Sequence, residues 1–551
     1  MGGEKQDPYA GRWIASIRGR LVAHGGTPEQ ALRLAQSRYK ETPEIRYIPM
    51  TPALEVPSLV NTIHAALPQG MKLYLVGGAV RDLLLGRPTH DFDFALQEDG
   101  IRVARAVADA LGAAIYPLDA ERGTGRVLYT APDGARHVID FAAYRGADLE
   151  TDLRGRDFTI NAIALDPADG SLHDPLGGVH DLRAKCLRQC SPTAFTDDPL
   201  RILRGVRLAA ALDFHIQPET RQAMKQAADC LGRISGERLR DELFRILEGP
   251  KPAACLRALE ILRALDDILP ELSGLKGLAQ PAPHVHDGWQ HTLSVLNHLE
   301  AGLSALAPVY APETADDLLA GMLVLRLGRY REQIAAHLQS MPTPGRSRRG
   351  LLFLAALYHD AAKADTAAAD EGGRLRFWEH DQKGADLAVA RARQLALSNE
   401  EGRVLDTIVR NHMRIHFHTN RLETEGKPPT RRAIYRFFRD SGDCGVDLVL
   451  LALADLRATY EQELPQAQWA ACLDVCRTLL EAWWEKRPEQ VDPPTLLDGN
   501  DLMHALGLPP GPRVGKLLEA LREAQATGDV VDREQALAFV AEKNQAEQDP
   551  P

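Results

Sequence analysis

Residues 73–96 read LYLVGGAVRDLLLGRPTHDFDFAL, and this stretch decides the fold of the N-terminal half of the chain. A short apolar run ends at a pair of glycines, and the segment closes on DFDFAL. The alternation predicts a strand over 91–96, with Asp91 and Asp93 on one face and two phenylalanines on the other. Two carboxylates about 7 Å apart along a strand can share divalent ions that hold a triphosphate. We therefore predict a metal site on this strand.

Two glycines, Gly77 and Gly78, follow the apolar run and precede Arg81. Because glycine has no Cβ, backbone N–H groups at these positions can approach phosphate oxygens closely. The alternative interpretation is a glycine turn, a surface arginine and two solvated aspartates, which each feature by itself would favour. Their order and spacing together favour a site that holds a triphosphate beside a metal ion.

This arrangement resembles the class II nucleotidyltransferase head of bacterial tRNA nucleotidyltransferases (CCA-adding and A-adding enzymes) and of poly(A) polymerases. The family signature GGxVRD, LLG and DxD is matched within residues 77–93. Gly155 stands where the family usually has the first arginine of its RRDFTINA element. Further stretches resemble shared elements of the family: RDFTINA at 156–162, DPLGG at 174–178, DDPLRILR at 197–204 and GERL at 236–239.

The resemblance implies nucleotidyl transfer supported by Mg²⁺ at Asp91 and Asp93. Asp140, within VIDFAAYR, is a candidate third catalytic carboxylate, because relatives place an acid on the adjacent strand; it is alternatively an ion-pair partner of Arg145. The implied nucleotide-binding residues hold the triphosphate, lie near the ribose or belong to the DDPLRILR element. They are Gly77, Gly78 and Arg81, then Arg156, Asp157 and Asn161, and then Asp198, Arg201 and Arg204.

The choice of base follows from hydrogen-bond chemistry at Asp198 and Arg201. Pro199 suits the first turn of a helix, which places Asp198 at the N-cap and Arg201 near the third helical position. A carboxylate only accepts and a guanidinium only donates, which matches the Watson–Crick edges of adenine and cytosine but not those of guanine and uracil. The pair therefore predicts use of ATP and CTP without a nucleic-acid template. The alternative is that Asp198 merely caps the helix and pairs with Arg201, unless Asp197 supplies the cap.

A second group of potential metal ligands lies in the helical half of the chain. Asp455 sits inside an apolar helix, where a lone carboxylate is costly unless it is paired. The order His, His-Asp, distant Asp over 280–460 resembles the HD metal-dependent phosphohydrolases. Mixed imidazole and carboxylate ligands suit Mn²⁺, Fe²⁺, Ni²⁺, Co²⁺ or Mg²⁺. This resemblance implies ligation by His291, His359, Asp360 and Asp455, with His380 and His412 contributing to a second metal. Catalytic activity and a purely RNA-holding role both stay open.

Composition limits the class of protein. The chain has 551 residues and a net charge of −11, which argues against wholesale coating of nucleic acid but not against local patches. One such patch is Arg432, Arg436 and Arg439 on a predicted helix face, which suits an RNA backbone or is simply solvated. No apolar run reaches the length of a membrane span, and the start lacks a signal-peptide core. The seven scattered cysteines indicate a reduced cytoplasmic protein.

The predicted fold class is α+β, with a small mixed-sheet head followed by a helical neck, an HD-type body and a tail. Head strands are predicted at 73–76, 137–144 and 158–165, and a helix at 27–39. The PGPxxG stretch in the tail resembles a family element or is an ordinary turn between helices. The predicted divisions are an N-terminal extension at 1–50, the head at 51–170, the neck at 171–255, the body at 256–490 and the tail at 491–551.

The leading functional hypothesis is a cytoplasmic enzyme that adds CMP and AMP from CTP and ATP to the 3′ end of tRNA, with possible end-trimming by the HD body. CCA addition and A addition use the same head motifs, so both stay open, as does the oligomeric state. Alternatives are a poly(A) polymerase, against which the acidic C-terminus argues, and an HD phosphohydrolase whose head only binds RNA.

Overall fold

The computed structural model describes residues 9, 12–48, 56–68, 70–120, 123–309 and 317–546. The chain divides into two compact units, Met1–Ile234 and Ser235–Pro551. The first unit combines helices and sheets and the second is almost wholly helical, which confirms the predicted α+β class. The boundary between the units falls inside the predicted neck, 171–255, and the finer five-part division stays a prediction.

The first unit is built on strands that form one large sheet and two smaller ones. Its strands are β1 (Arg12–Ile17), β2 (Arg20–Gly25), β3 (Glu44–Ile48), β4 (Leu73–Val76), β5 (Asp91–Leu96), β6 (Ala114–Asp119), β7 (Thr124–Thr130), β8 (Arg136–Ala143), β9 (Ala164–Leu165), β10 (Leu172–His173), β11 (Cys186–Leu187) and β12 (His215–Ile216). Its helices are α1 (Pro28–Gln36), α2 (Ser58–Ala65), α3 (Gly78–Leu84), α4 (Gly100–Leu111), α5 (Leu149–Arg154), α6 (Gly178–Arg183), α7 (Ala194–Asp197), α8 (Arg201–Leu212) and α9 (Pro218–Gln226).

The large sheet has the strand order β10-β9-β4-β5-β8-β7-β6. Strands β5 and β8 run parallel, and the other neighbouring pairs are antiparallel. The apolar side chains of the two parallel strands meet in the core, where the rings of Phe94 and Phe141 stack with centroids 5.2 Å apart. The strands predicted at 73–76, 91–96 and 137–144 are confirmed.

The strand predicted over 158–165 is wrong for most of its length. Only Ala164 and Leu165 belong to a strand, and Thr159–Asn161 forms a single 3₁₀ turn. The Thr159 N–H donates to the carbonyl of Arg188 at 2.9 Å, and its hydroxyl donates to Asp181 at 2.6 Å. The backbone here is therefore held by neighbouring segments of the chain instead of by a sheet ladder.

Residues 12–48 form a small N-terminal module in which α1 packs on one face of the antiparallel sheet β2-β1-β3. The helix predicted over 27–39 is present as α1, and the Thr27 side chain accepts from the N–H of Gln30 as its N-cap. The strands on either side of it were not predicted. Their apolar positions alternate only over short stretches, and the buried contacts of Ala15 are made with Ala31 and Ala35 of the helix.

The second unit is a set of helices with one short hairpin. The helices are α10 (Gly236–Glu248), α11 (Pro252–Ile261), α12 (Leu265–Ile268), α13 (Gly288–Ala305), α14 (Leu318–Leu327), α15 (Arg331–Gln339), α16 (Arg348–Tyr358), α17 (Lys363–Thr366), α18 (His380–Gln394), α19 (Asn399–Asn411), α20 (Met413–Glu425), α21 (Arg431–Ser441), α22 (Cys444–Tyr460), α23 (Gln466–Trp484), α24 (Arg487–Gln490), α25 (Gly499–Leu506), α26 (Pro512–Thr527) and α27 (Arg533–Ala546). The hairpin strands are β13 (Ala367–Ala369) and β14 (Leu375–Phe377).

Helix α22 is buried along nearly its whole length and packs against α13, which brings both helices into the centre of this unit. The last three helices, α25 to α27, have an apolar cluster of their own that includes Leu502, Leu517, Leu521 and Val540. Within the described residues, no helix combines the length and apolarity needed to cross a lipid bilayer.

Candidate functional site

The predicted acidic strand is present in the head. In β5, Asp91 and Asp93 lie on the exposed face while Phe92 and Phe94 are buried, as the alternation predicts. In the parallel register with β8, Asp93 lies directly beside Asp140. Although Asp93 is exposed at the sheet surface, the protein groups around its carboxylate keep water away, and this desolvation raises its pKa; the neighbouring negative charge of Asp140 raises it further. The three carboxylates therefore concentrate negative charge on one face of the sheet, which favours a bound cation.

Asp140 has an arginine partner that sequence reasoning missed. Arg126, on β7, donates to both carboxylate oxygens of Asp140, at 2.8 Å from Nε and 2.7 Å from Nη2. The partner expected from the sequence as an alternative was Arg145, and the structure places Arg126 in that role. Arg126 faces Asp140 in the antiparallel register of the two strands. This pairing leaves Asp91 and Asp93 as the more accessible ligands, and a metal-binding role for Asp140 stays a prediction.

Gly77 brings the backbone directly against Asp93. Its φ is +74°, a region that strongly favours glycine. A Cβ at this position would lie 3.3 Å from Asp93 Oδ2 and 3.2 Å from Arg156 Nη1. The paired glycines thus lie beside the acidic strand, which is where the triphosphate is predicted to bind.

A continuous polar network joins four of the nine predicted nucleotide-binding residues. Arg81 donates to Asp82 and, from Nη1 at 2.9 Å, to Asn161 Oδ1. The amide of Asn161 donates to Asp157 at 3.1 Å, and Asp157 forms an ion pair with Arg204 at 2.8 Å. Burial acts to raise the pKa of Asp157. The pKa nevertheless lies below its ordinary value, because Arg204 and the Asn161 amide stabilise the ionised form. Residues far apart in sequence are therefore held in one rigid arrangement.

Arg156 extends the same site. Its guanidinium donates to Asp152 at 3.0 Å from Nη2, while Nη1 lies against Gly77. Asp152 is buried and was not identified from the sequence. This ion pair therefore holds the Arg156 guanidinium between α5 and Gly77.

The predicted geometry at Asp198 and Arg201 needs a correction. Helix α8 begins at Arg201 and not at Pro199, because Pro199 and Leu200 form a turn in which the Arg201 N–H donates to the Asp198 carbonyl at 3.1 Å. The Asp198 carboxylate accepts from the Leu200 N–H at 3.3 Å, whereas Asp197 accepts from the Thr193 hydroxyl at 2.8 Å.

The capping alternatives are also wrong, because Leu200 is the residue before α8 and no side chain caps this helix. Arg201 donates to the backbone carbonyls of Gly155, Arg156 and Ala194, at 2.8, 3.3 and 3.3 Å. These bonds tie the start of α8 to the RDFTINA element. The reading of a base by this pair stays a prediction.

The second unit brings together all four predicted HD ligands. His291 comes from α13, His359 ends α16, Asp360 follows it, and Asp455 comes from α22. His291 Nε2 lies 3.0 Å from Asp455 Oδ1 and 3.6 Å from Asp360 Oδ2, and His359 Nε2 lies 3.2 Å from Asp360 Oδ2. All four residues are buried.

Two further histidines complete a second group around the same aspartate. The Nε2 atoms of His380 and His412 lie 3.5 and 3.9 Å from Asp360 Oδ1. Ligand atoms of His291, His359 and Asp360 lie within 4.8 Å of one another, and so do those of Asp360, His380 and His412. Asp360 therefore belongs to both groups, with one oxygen toward each.

The histidine tautomers suit cation binding. In His359, His380 and His412, Nδ1 lies 2.7, 2.8 and 2.7 Å from a backbone carbonyl, which only accepts, so Nδ1 carries the hydrogen. The lone pair of each Nε2 then points into the cluster, as in histidines that ligate metals. The Nε2 atoms of His380 and His412 are only 3.3 Å apart. Two facing lone pairs repel unless a cation lies between or beside them, so this donor set fits a metal.

Two supporting residues of this centre were not assigned roles from the sequence. His416 Nε2 lies 2.8 Å from Asp455 Oδ2, and the signal for it is its position one helical turn after His412. Lys363 Nζ lies 2.6 Å from Asp360 Oδ2 and 2.7 Å from Gln280 Oε1. Both residues neutralise or orient the aspartates that face the cluster.

The arginines predicted to contact RNA have protein partners. On α21, Arg432 and Arg436 form ion pairs with Glu523 of α26, at 3.0 and 2.8 Å, and Arg439 contacts Asp440 at 2.7 Å and Glu519 at 3.4 Å. This face is therefore not simply a solvated surface, because it joins α21 to the tail. RNA binding by these arginines stays a prediction.

Known families match four parts of the chain. The poly A polymerase head domain matches residues 73–188, and a family described as "Probable RNA and SrmB- binding site of polymerase A" matches residues 213–275. A tRNA nucleotidyltransferase domain 2 family matches residues 492–541. A family of unknown function, DUF5678, matches residues 4–51. The predicted division into five parts stays a prediction.

Similar proteins cover most of the chain. The A-adding tRNA nucleotidyltransferase of Deinococcus radiodurans is 36% identical over 474 residues, which are 85% of this chain and 94% of the relative. The CC-adding tRNA nucleotidyltransferase of Geobacter sulfurreducens is 32% identical over 488 residues, 89% and 95% of the two chains. A solved complex of a CCA-adding enzyme with CTP shares the fold, with a TM-score of 0.56, 20% identity and coverage of 89% and 99%. Together with the acidic strand, the glycine pair and the polar network, these similarities place the chain in the tRNA nucleotidyltransferase family.

Proposed function

We propose that this protein adds AMP, CMP or both, from ATP and CTP, to the 3′ end of tRNA without a template. The observation that carries the proposal is the position of Gly77, where a Cβ would lie 3.3 Å from Asp93 Oδ2, beside the sheet face that carries Asp91, Asp93 and Asp140. Support comes from relatives named as A-adding and CC-adding enzymes and from similar folds solved with tRNA, CTP and ATP. The described cysteines are not joined by disulfides, and we propose a reducing compartment such as the cytoplasm.

Asp91 and Asp93, with Asp140 as third ligand, are the residues that would hold Mg²⁺. When bound, the ion neutralises triphosphate charge and activates the attacking hydroxyl. The protein supplies the rest of the arrangement. Backbone N–H groups at Gly77 and Gly78 and the guanidinium of Arg81 hold phosphate oxygens.

The polar network keeps the ribose-facing groups in position. Asn161 is locked between Arg81 and Asp157, so its amide cannot rotate without breaking two hydrogen bonds. Asp198 and Arg201 lie at the start of α8 and would read the Watson–Crick edge of adenine or cytosine. For that role, Arg201 exchanges one or more of its bonds to backbone carbonyls for the base.

Asp93→Asn tests the assignment of the metal. We expect incorporation of labelled nucleotide into tRNA to fall by about 10³-fold or more, because the charge that holds the ion is lost. Binding of tRNA, measured by filter retention, should stay within about threefold of wild type. The matched control is Asp109→Asn, which removes one exposed carboxylate from α4. Incorporation by Asp93→Asn at the control's level contradicts the proposal.

A second experiment determines which nucleotides the protein adds and to which tRNA ends. The purified protein is given tRNA ending at the discriminator base, after the first C or after the second C, with one nucleoside triphosphate at a time. Addition of A only to the last of these defines an A-adding enzyme, and addition of C only to the first two defines a CC-adding enzyme. Addition at all three ends defines a CCA-adding enzyme, and untemplated A runs on any RNA favour the poly(A) alternative.

We also propose that the buried centre around Asp360 binds divalent metal and hydrolyses phosphate ends, as in HD phosphohydrolases. The support is the set of histidine tautomers that direct Nε2 atoms of His359, His380 and His412 toward this aspartate. Mn²⁺, Fe²⁺, Ni²⁺, Co²⁺ and Mg²⁺ suit such ligands.

His359→Ala tests the second centre. We expect tightly bound transition metal, measured by elemental mass spectrometry, and any phosphatase or phosphodiesterase activity to be lost, while nucleotide addition is retained. His504→Ala, which removes an exposed histidine from the tail, is the control. Unchanged metal content in His359→Ala would place the metal elsewhere.

A further inference from the structure

The N-terminal module differs in charge from the rest of the chain. Residues 12–48 contain seven lysines and arginines and three acidic residues, whereas the whole chain contains 65 basic and 76 acidic residues. A basic module on an acidic protein concentrates attraction for polyanions in one place. Neither the catalytic head nor the metal centre accounts for this module.

Within the described residues, α1 packs on one side of the module's sheet, and the other side carries exposed arginines. Helix α1 covers the face that carries Ala15. Trp13 points to the same side of β1 as Ala15, and a Cβ on Gly177 would come within 2.8 Å of its Cζ2 atom, so the module contacts the head there. The opposite side of the sheet is called the open face here. It carries alternate residues of β1, namely Arg12, Ile14 and Ser16, with their neighbours His24 and Arg46.

Cationic and aromatic side chains are grouped on the open face. The register places His24 and Arg46 on either side of Ile14, two strand spacings or about 10 Å apart. Arg12 and Arg46 are exposed. Arg12 Nη1 lies 3.1 Å from His24 Nδ1, and the rings of His24 and Tyr9 lie 5.2 Å apart.

Among the open-face positions given above and their neighbours on β3, the acidic residue is Glu44. Glu44 lies opposite Ser16, at the other end of β1 from Arg12. The end formed by Arg12 and Arg46 therefore carries two positive charges, with the rings of His24 and Tyr9 beside them. Phosphate groups bind such arginines, and bases or riboses stack on such rings.

We propose that the open face binds the phosphate backbone of the RNA substrate, so that the module is a tRNA-binding element. Charge complementarity favours RNA over a protein partner, because the positive cluster matches a polyanion that an enzyme of this family must bind. The inference rests on the proposed function for the identity of that RNA. It gives a role to residues 12–48 that is separate from catalysis.

The experiment uses the full-length protein and measures tRNA affinity between 50 and 200 mM salt. The variant Arg12→Ala/Arg46→Ala removes two charges from the open face. The control Arg33→Ala/Arg38→Ala removes two exposed charges from α1 and the residues just after it. If each open-face arginine neutralises one phosphate, the slope of log affinity against log salt becomes less steep by about 1.4, with about tenfold weaker binding at 50 mM.

Further variants separate charge from folding. Arg12→Lys/Arg46→Lys keeps both charges and should restore most of the slope. Arg46→Ala alone keeps the Arg12–His24 contact, so about half of the slope change is expected even if the double variant misfolds. At saturating tRNA, kcat for nucleotide addition should be unchanged while KM for tRNA rises.

Two results would overturn the inference: wild-type affinity and slope in the open-face variant, or an equal loss in the α1 control. Wild-type affinity and slope in the open-face variant would show that the open face does not bind RNA and would favour a protein partner instead. A wild-type protein that binds tRNA but adds no nucleotide would instead contradict the proposed function, and the salt slopes would still decide the role of the module.

Discussion

Gly77 shows how much a single residue controls at the active site. Its φ is positive, and a Cβ here would lie 3.3 Å from Asp93 Oδ2, which is closer than ordinary van der Waals contact. A side chain would therefore displace either the Gly77 backbone or the Asp93 carboxylate, the groups proposed to face the phosphates and the metal. A displacement of about 1 Å in a reacting group can lower the rate strongly. Nucleotide addition should therefore be sensitive to substitution at Gly77.

Gly77→Ala is expected to lower kcat/KM for nucleotide addition by at least about tenfold, because the added Cβ would displace Asp93 or Arg156. The control is Gly86→Ala, whose φ is +65° and whose Cβ would meet no atom within 4 Å. That variant should lose about 1–2 kcal/mol of stability but keep its activity. Equal kinetic losses in the two variants would show that backbone strain, and not the contact, is responsible.

Asp174 is a buried carboxyl at the element DPLGG. It accepts from the N–H groups of Gly178 and Val179 at 2.7 and 2.9 Å, yet burial raises its pKa from 3.8 to about 6. The folded state therefore holds this proton more tightly than the unfolded chain does. Stability from the protonated carboxyl is fully present below about pH 3.8 and is lost as the pH rises through about 6.

The expected loss is about 3 kcal/mol of unfolding free energy in the first unit between pH 4 and pH 6.5 from this group. Trp13 is the only tryptophan before residue 235 and contacts Gly177, so 5-fluorotryptophan NMR during urea unfolding reports on this region. Asp174→Asn should remove this part of the pH dependence. An unchanged dependence in that variant would assign it to other groups.

At the scale of elements, α21 is joined to α26 by charge. Glu523 accepts from Arg432 and, through both oxygens, from Arg436. The arginines are about half exposed and Glu523 is 16% exposed, so screening by solvent keeps the contribution small. The pattern of basic residues along α21 was visible in the sequence, but the carboxylates that face it lie some 87 residues later.

A double-mutant cycle between Arg436→Ala and Glu523→Ala should give a coupling of about 0.5–1 kcal/mol at low salt, falling toward zero at 1 M salt because the pair is exposed. Urea unfolding of the second unit measures it. Glu542→Ala, an exposed carboxylate on α27, should show no coupling with Arg436→Ala. Coupling that does not weaken with salt would mean that the pair acts through packing.

At the scale of the whole molecule, two compact units carry two different centres. The acidic strand and the polar network belong to the first unit, and the centre around Asp360 belongs to the second. A ligand stabilises the unit that binds it in proportion to its affinity. Each centre can therefore be followed through the unfolding of its own unit.

Differential scanning calorimetry should show that ATP with Mg²⁺ raises the transition of the first unit and that Mn²⁺ raises that of the second. At 100 times the dissociation constant, each ligand adds about 2.7 kcal/mol of stability, which corresponds to a shift of about 5–10 °C for units of this size. Asp93→Asn should remove the first shift and His359→Ala the second. A single transition that responds to both ligands would contradict this independence.

Local patterns in the sequence determined the acidic strand, the glycine pair and the ligands of the second centre. Alternation sets the faces of β5, and burial in an apolar helix leaves Asp455 in need of a partner, so both were predictable from neighbouring residues alone. The folded chain was needed to show that Arg126 pairs with Asp140, that Arg201 donates to backbone carbonyls and that residues 158–163 leave the sheet. Those outcomes depend on which distant segments come into contact, and the period of a strand or helix carries no information about its partners.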